Sequence, residues 1–252
     1  MPVLNRDGVG IYYEAYGQGP PILLSHGYSA TCRMWDGQIA ALRDRFRVIV
    51  WDMRGHGQSD VPADPTAYSE AATVGDMAAL LHACDVESAV IAGLSLGGYM
   101  SLAFHLRHPS QVRALMLFDT GPGFRSDAAR AAWNARSLAR ADELDARGFE
   151  ALGRSDEVRM SQHRSAAGLA GAARGMLTQQ DDAVIRSLDT IGVPTLVLVG
   201  ANDTNFLAAT DYMAGKIPGA AKVTIPDAGH ASNLHQPATF NCAVEAFLAG
   251  LP

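Results

Sequence analysis

The sequence predicts an α/β fold, in which a mostly parallel sheet carries helices on both faces. Short apolar runs rich in β-branched residues recur along the chain, separated by segments of helical composition. This alternation is typical of parallel strands joined by crossover helices. One stretch interrupts it, because residues 121–187 are rich in Ala and Arg and contain no clear strand. We therefore expect a single domain over 1–252, with a helical cap inserted at about 121–187.

The first third of the chain predicts three strands and a turn that could bind an anion. Strands are predicted at Val9–Tyr16, Pro21–Leu24 and Val48–Asp52, and helices at Trp35–Leu42 and Thr73–Cys84. The second strand runs into His26-Gly27, where glycine lets the backbone turn so that the amide of Tyr28 can point at a nucleophile. We expect His26 to brace this loop through hydrogen bonds.

A glycine-flanked serine stands between a predicted strand and a predicted helix. The apolar run 89–94 leads into Gly93-Leu94-Ser95-Leu96-Gly97, and residues 99–108 suit a helix. Such a turn exposes a serine hydroxyl at a helix start, and its glycines avoid collisions with the neighbouring strand and helix. Ser95 is the candidate nucleophile, and the amides of Tyr28 and Leu96 are the candidate oxyanion donors.

An acid and a base follow Ser95 in the chain order that this turn requires. The apolar run Thr195–Gly200 predicts a buried strand, which places Asp203 just past its end. The short strand 221–225 leads into Pro226–His230, a loop that can carry an imidazole over the sheet edge. The sequence therefore predicts Asp203 as the acid and His230 as the base.

Two alternatives stay open. Asp119 also follows a predicted strand, 112–118, and its chain order suits the acid too, although it equally suits a turn out of the sheet. His235 lies close behind His230 and is a rival base. No metal-ligand spacing occurs among the histidines and cysteines, so we expect no metal and no other cofactor.

The predicted cap should decide the substrate, because it would lie over Ser95. Trp133, Arg136 and Arg140 recur at helical spacing, so the two cations either hold a substrate carboxylate or pair with nearby acidic residues. Glycines at 148, 153, 168, 171 and 175 are expected to break helices. The candidate substrate-binding residues are Phe124, Trp133, Arg136, Met160 and Phe206, each of which could instead be packed in the core.

Together these motifs resemble the α/β-hydrolases over nearly the whole sequence. The resemblance rests on His26-Gly27, Asp52-x-Arg54-Gly55-x-Gly57-x-Ser59, the turn around Ser95, Gly200-x-x-Asp203 and Gly229-His230, in this order. The chain is most similar to small esterases and lactonases, including 3-oxoadipate enol-lactonases, whose turn also reads Gly-Leu-Ser-x-Gly-Gly. Haloalkane dehalogenases and epoxide hydrolases share the scaffold but use aspartate at this turn, so Ser95 argues against both.

The resemblance implies an α/β-hydrolase fold and hydrolysis of a small-molecule ester through an acyl-enzyme on Ser95, with His230 and Asp203 completing a triad. Hydrolysis of a lactone and cofactor-free cleavage of a C–C bond stay open as other reactions. A ligand-sensing receptor that retains the triad stays open as a different class of protein.

The composition is that of a globular enzyme without nucleic-acid or membrane partners. Of the 252 residues 48% are hydrophobic, which is enough for a sizeable core. No apolar run reaches the about 18 residues of a membrane span, and the first residues lack the apolar core of a secretion signal. Three cysteines without paired spacing indicate reduced thiols, so we expect a cytoplasmic protein. We also expect a monomer or a small homo-oligomer. A net charge of −6 without a basic cluster disfavours nucleic acid.

Overall fold

A single eight-stranded sheet forms the centre of the protein in a computed structural model that describes residues 2–251. The strands are β1 (Val3–Arg6), β2 (Val9–Tyr16), β3 (Pro21–Ser25), β4 (Arg47–Trp51), β5 (Ala89–Leu94), β6 (Val112–Phe118), β7 (Thr195–Gly200) and β8 (Ala221–Ile225). They lie in the order β1-β2-β4-β3-β5-β6-β7-β8. β1 and β2 pair antiparallel at one edge, and β2 pairs antiparallel with β4. All the other pairs are parallel, so the predicted sheet is confirmed.

The α-helices follow or separate the strands along the chain. They are α1 (Asp36–Leu42), α2 (Glu70–Ala83), α3 (Leu96–Arg107), α4 (Asp127–Arg147), α5 (Asp156–Met160), α6 (Ala166–Ala172), α7 (Ala183–Arg186), α8 (Leu207–Lys216), α9 (Ser232–His235) and α10 (Pro237–Ala249). Over residues 2–251, no helix combines the length and the apolar character that crossing a bilayer requires.

Alternating side chains of the central strands enter two separate cores, one on each face of the sheet. In β3, Leu23 packs into the core that contains residues of α2 and α3, whereas its neighbour Ile22 packs into the core that contains residues of α1 and α10. Val90 and Ile91 of β5 divide in the same way. Both faces of the sheet are therefore covered by helices, as continuous apolar strands require.

The strand order reverses at β3, and this reversal creates the crevice in which the site lies. The chain runs from β3 to β4 on one side and then returns to β5 on the other side of β3. Crossovers leave on opposite faces at such a point, so a crevice opens at the carboxyl ends of the strands. The residues that follow β3 and β5 are His26 and Ser95, and the two predicted loops therefore lie side by side.

Between β6 and β7 the described residues form helices and connecting loops, and no strand. We call residues 121–187 the cap segment. Its longest helix, α4, packs against α6 through a small apolar cluster that includes Ala141, Leu144, Leu169 and Ala170. This cluster is separate from the two cores of the sheet.

Three glycines of the cap segment permit close packing, contrary to the expectation that they break helices. Gly168 and Gly171 lie inside α6, and Gly175 lies in the π-helical turn that follows it. An added Cβ would lie 2.6 Å from the carbonyl oxygen of Gly55 at Gly168, and 2.0 Å from that of Tyr68 at Gly175. These contacts involve residues far apart in sequence, so helix-breaking rules could not reveal them. Gly148 does follow the end of α4, with φ 59°.

Candidate active site

Ser95 lies between β5 and α3 in a strained backbone conformation, with φ 55° and ψ −115°. The flanking glycines make this turn possible. A Cβ added at Gly93 would lie 2.3 Å from the carbonyl carbon of Gly97, and one added at Gly97 would lie 2.1 Å from the carbonyl oxygen of Ser25. Both distances are too short for any side chain, so the close approach of strand, turn and helix requires glycine at both positions.

Hydrogen bonds to the backbone of Ser95 hold the strained turn in place. Its amide donates to the carbonyl of Phe118 over 2.9 Å, and its carbonyl accepts from the amide of Tyr99 over 3.1 Å. The hydroxyl of Thr120 donates to the same carbonyl over 2.6 Å. All three bonds use backbone atoms of Ser95, which leaves its hydroxyl for another role.

Two backbone amides near Ser95 are free to bind an anion. A Cβ added at Gly27 would lie 3.5 Å from the Cβ of Ser95, which shows how closely the loop after β3 approaches the serine. Leu96 is the first residue of α3, where amides lack an intrahelical acceptor and the helix dipole is positive. Within residues 2–251, neither the amide of Leu96 nor that of Tyr28 donates to a protein acceptor. These are the two predicted oxyanion donors.

His26 braces the loop after β3, as the sequence predicts. Its imidazole is fully buried, with Nδ1 2.7 Å from the carbonyl of Gly27 and Nε2 accepting the amide of Met53 over 2.9 Å. Burial lowers its pKa, outweighing the nearby charge of Asp52. A neutral ring with Nδ1 protonated satisfies both bonds, so His26 is occupied structurally.

His230 is held by Asp203 over the carboxyl edge of the sheet. Its Nδ1 lies 2.8 Å from Oδ2 of Asp203, a carboxylate that is only 4% exposed. Burial lowers the pKa of His230, but the hydrogen bond and the charge of Asp203 outweigh it, so the pKa is raised above its usual value. Phe206 stacks on the imidazole, with ring centroids 5.0 Å apart and an interplanar angle of 21°. The ring is thus fixed on one face and through Nδ1, which leaves Nε2 for chemistry.

Asp119 supports the two loops that carry Asp203 and His230. One of its oxygens accepts the amide of Gly200, at the end of β7, over 2.7 Å, and the other accepts the hydroxyl of Ser232. Burial raises the pKa of Asp119 to about 7, although both of these hydrogen bonds oppose the rise. Its carboxylate is therefore engaged with the loops, whereas that of Asp203 is bonded directly to the imidazole.

The rival base, His235, is turned away from Ser95. Its Nδ1 accepts the amide of Gly229 over 2.9 Å, and its Nε2 lies 3.5 Å from a carboxylate oxygen of Asp156 in α5. It does not line the cavity that contains Ser95 and His230. His235 therefore shapes the loop that presents His230.

Ser95 and His230 both line a cavity of about 540 Å³, whose other walls are mainly apolar. The predicted residues Tyr28, Leu96, Phe124, Trp133, Arg136 and Phe206 all line it. Met160 requires a correction, because it is the last residue of α5, is 41% exposed and lies outside the cavity lining. Its place in the wall is taken by Met176 from the turn after α6.

The two arginines of the cap segment differ in their surroundings. Arg140 donates to the carbonyl of Ala151 over 2.6 Å and lies 3.4 Å from a carboxylate oxygen of Glu143. Arg136 has no carboxylate partner within residues 2–251, and its guanidinium lies 5.7 Å from the centre of the Trp133 ring. Both arginines line the cavity, but Arg140 is tied to the protein, whereas Arg136 has its charge available for a ligand.

The sequence missed Tyr99, Met176, Leu177 and Gln179, all of which line the cavity. Tyr99 carried a usable signal, because it lies one helical turn after Ser95 and so shares its side of α3. Its hydroxyl donates to Glu70 over 2.7 Å. The other three lie where the cap segment turns back over the sheet, and no local pattern marks them.

His163 and Tyr28 fasten the cap segment to the loops of the sheet. Nδ1 of His163 accepts the amide of Gly57 over 3.0 Å, and its Nε2 lies 3.1 Å from the carbonyl of Ser29. The hydroxyl of Tyr28 donates to the carbonyl of Leu169 in α6 over 2.9 Å. Because the amide of Tyr28 is a candidate oxyanion donor, this hydrogen bond connects the cap segment directly to the candidate active site.

Comparison with known proteins agrees with this architecture. Residues 20–163 match a protein family described as the alpha/beta hydrolase fold. The chain is 28% identical over 259 residues to 3-oxoadipate enol-lactonase 2 of Acinetobacter baylyi, covering 97% of this chain and 95% of that protein. A thermophilic esterase from Thermogutta terrifontis has a TM-score of 0.86 at 30% identity, with 99% of this chain and 97% of that chain covered. A hydrolase from Pseudomonas aeruginosa has a TM-score of 0.81 at 31% identity, with 99% and 98% covered.

Proposed function

Because the chain belongs to the α/β-hydrolase family and is a hydrolase, we propose that it cleaves carboxylic esters through an acyl-enzyme formed on Ser95. One observation carries the proposal. The strained serine and an imidazole held by a buried carboxylate line the same cavity, next to two amides that have no acceptor among residues 2–251. Acyl transfer by a serine requires these parts together.

In the acylation step, Nε2 of His230 accepts the hydroxyl proton of Ser95 as Oγ attacks the ester carbonyl. The carboxylate of Asp203 accepts a hydrogen bond from the protonated Nδ1 of His230 and stabilises the imidazolium that forms. The amides of Tyr28 and Leu96 donate to the tetrahedral oxyanion. His230 then gives its proton to the leaving alcohol, and the carbonyl reforms as an ester of Ser95.

Deacylation repeats the same proton movements with water as the nucleophile. His230 takes a proton from the water, the amides again hold the oxyanion, and Ser95 leaves with the proton returned by His230. The free acid and the starting enzyme result. No step requires a group other than these residues and water.

Turnover of a short activated ester tests the proposal. With p-nitrophenyl acetate we expect sustained release of nitrophenol over many enzyme equivalents, because the cavity holds both the nucleophile and the base for deacylation. A fluorophosphonate should stop this release by labelling Ser95 alone. A single stoichiometric burst, or no release, would contradict an esterase and favour a receptor that captures its ligand.

The pH profile should report the ionisation of His230. The base must be neutral, so kcat/KM should rise with pH through a midpoint above the usual histidine value of about 6.5, because Asp203 raises the pKa of His230. Asp203→Asn removes the charge that stabilises the imidazolium, so its midpoint should move to lower pH while the plateau falls. Initial rates from pH 5 to 9 would measure both. An unchanged midpoint in the variant would contradict the pairing.

Arg136 supports hydrolysis of an acidic lactone or ester as a second candidate reaction. It is a cationic side chain of the cavity lining with no carboxylate partner in the described chain, and a guanidinium pairs well with a carboxylate. The similarity to an enol-lactonase that is named for the enol-lactone of an acid, 3-oxoadipate, is consistent with this reaction.

Replacement of Arg136 by Met should discriminate between acidic and neutral substrates. KM for p-nitrophenyl hydrogen glutarate should rise by about tenfold, the effect of losing one charge-assisted hydrogen bond near the surface, while KM for p-nitrophenyl pentanoate should change little. Arg140→Met is the matched control, since its guanidinium is already engaged with Ala151 and Glu143. Equal effects of Arg136→Met on both esters would remove the acidic substrate from consideration.

A further inference from the structure

A buried glutamine whose side-chain oxygen lacks a hydrogen-bond partner lies in the wall of the cavity. Gln179 is 7% exposed and lines the cavity together with Ser95 and His230. Its Oε1 atom is fully buried and has no partner among the described residues. The hydrogen bonds that Gln179 makes in this part of the chain use its backbone. The polar end of the side chain is therefore held in the cavity wall without a hydrogen bond to any group of residues 2–251.

Asn134 of α4 holds this residue in place from both sides of its backbone. Nδ2 of Asn134 donates to the carbonyl of Gln179 over 2.9 Å, and Oδ1 accepts its amide over 2.8 Å. The neighbouring Trp133 donates from Nε1 to the carbonyl of Leu177 over 2.7 Å. Two successive residues of α4 thus clamp residues 177–179, and the position of the Gln179 side chain is fixed by its backbone.

Gly123 leaves the space that the amide occupies. It has φ 92°, and a Cβ added there would lie 2.8 Å from Oε1 of Gln179. The cavity lining includes Tyr99, Phe124, Trp133 and Leu177, which are aromatic or aliphatic. Ligand cavities commonly combine such walls with a few polar groups that are fixed in position.

A buried amide that lacks partners destabilises the protein, so its retention in an apolar wall calls for a partner that arrives from outside. We infer that Gln179 recognises a neutral carboxamide on the acyl part of the ester, and that this group distinguishes the preferred substrates from plain alkyl esters. The amide of Gln179 has one acceptor and two donors, and rotation about the Cγ–Cδ bond would turn the buried Oε1 toward the cavity, so the group can complement a carboxamide on both counts. This inference rests on the proposed ester hydrolysis.

A pair of esters that differ only in this group tests the inference. The p-nitrophenyl esters of 4-carbamoylbutanoate and 5-methylhexanoate have tails of equal length that end in a carboxamide and in an isopropyl group of similar size. We define the amide preference as kcat/KM for the carbamoyl ester divided by kcat/KM for its isostere. Each value is corrected for spontaneous hydrolysis and expressed relative to p-nitrophenyl acetate for the same variant. A second pair, one methylene longer, allows for the depth of the cavity.

Gln179→Met keeps the length of the side chain and removes its donors and acceptor. The amide preference should fall about tenfold from wild type to this variant, the effect of losing two neutral hydrogen bonds. Asn205→Leu is the matched control, because Asn205 is an exposed amide of the same cavity and should leave the ratio unchanged. Equal amide preferences in wild type and Gln179→Met, for both chain lengths, would overturn the inference.

Absence of all turnover would count against the proposed ester hydrolysis and not against Gln179. In that case the uncleaved esters serve as ligands in titration calorimetry. The ratio of the Kd of the isostere to the Kd of the carbamoyl ester should be about tenfold larger in wild type than in Gln179→Met. Equal ratios would overturn the inference on binding alone.

The melting temperature of Gln179→Met provides a second measurement. It should change in opposite directions if Gln179 serves recognition and if it stabilises the fold. Without ligand, Gln179→Met should melt at the wild-type temperature or up to about 4 °C above it, because an unpaired buried amide has been removed. A lower melting temperature would show that the amide stabilises the fold and would overturn a role in recognition.

Discussion

Ser95→Ala should lower kcat for p-nitrophenyl acetate by about 10⁵ to 10⁶-fold while leaving the fold intact. The large loss follows from removal of the atom that forms the acyl-enzyme. The intact fold follows from the local hydrogen bonds, since Phe118, Tyr99 and Thr120 all bond to the backbone of residue 95. Rates under saturating ester, together with a melting curve, would measure both effects. Alanine keeps the Cβ, so the strain at φ 55° should persist in the variant.

Ser101→Ala is the matched control for this experiment. Ser101 lies in the same helix, is fully buried and donates to the carbonyl of Gly97 over 2.8 Å. Its hydroxyl has no access to the cavity, so kcat should stay within a few-fold of wild type even if stability falls by about 1 kcal/mol. Retained activity in Ser95→Ala, or fluorophosphonate labelling at another residue, would contradict a role of Ser95 as nucleophile.

Local patterns predicted the parts of the site that depend on strand ends and turns. Ser95 could be located because a buried strand, a glycine-bounded turn and a helix follow each other within one short segment. Asp203 and His230 follow strands β7 and β8, which are neighbours in the sheet. Parallel neighbours bring their carboxyl ends to one edge, so chain order together with strand assignment sufficed to place both residues.

The cap segment was predictable as helix but not as a surface. Met160 and Met176 are equally compatible with a pocket by sequence, yet Met160 is exposed at the end of the five-residue helix α5, whereas Met176 lies in the cavity wall. The side that a short helix presents depends on what it packs against. Gln179 illustrates the same limit, because its position depends on Asn134, which is 45 residues away in sequence.

Local patterns favoured Asp203 as the acid but left Asp119 open as the alternative. Both carboxylates follow a buried strand, and both are almost inaccessible to solvent. Only their partners differ, since Asp203 bonds to Nδ1 of His230 and Asp119 bonds to Gly200 and Ser232. A buried carboxylate next to an imidazole can stabilise the positive charge of the ring, whereas a carboxylate that bonds to two loops fixes the positions of those loops.

Asp203→Asn should therefore lower kcat by about 10⁴-fold, because an amide can hold the imidazole in the wrong tautomer and carries no charge for the imidazolium. Asp119→Asn should lower kcat by less than about tenfold, because asparagine tolerates the backbone at φ 45° and can still accept the amide of Gly200. Parallel measurement of kcat in the two variants decides between the acids. The reverse ranking would transfer the role to Asp119, and equal losses would show that both support His230.

Melting temperatures provide an independent measure of the role of Asp119. Burial raises its folded-state pKa to about 7, above the value of an unfolded aspartate, so the stability it contributes is lost as pH rises toward 7. Asparagine cannot ionise and escapes this loss. Relative to wild type, Asp119→Asn should therefore gain stability between pH 5 and pH 8. A pH-independent difference for Asp119→Asn would show that this carboxylate ionises as freely in the folded protein as in the unfolded chain.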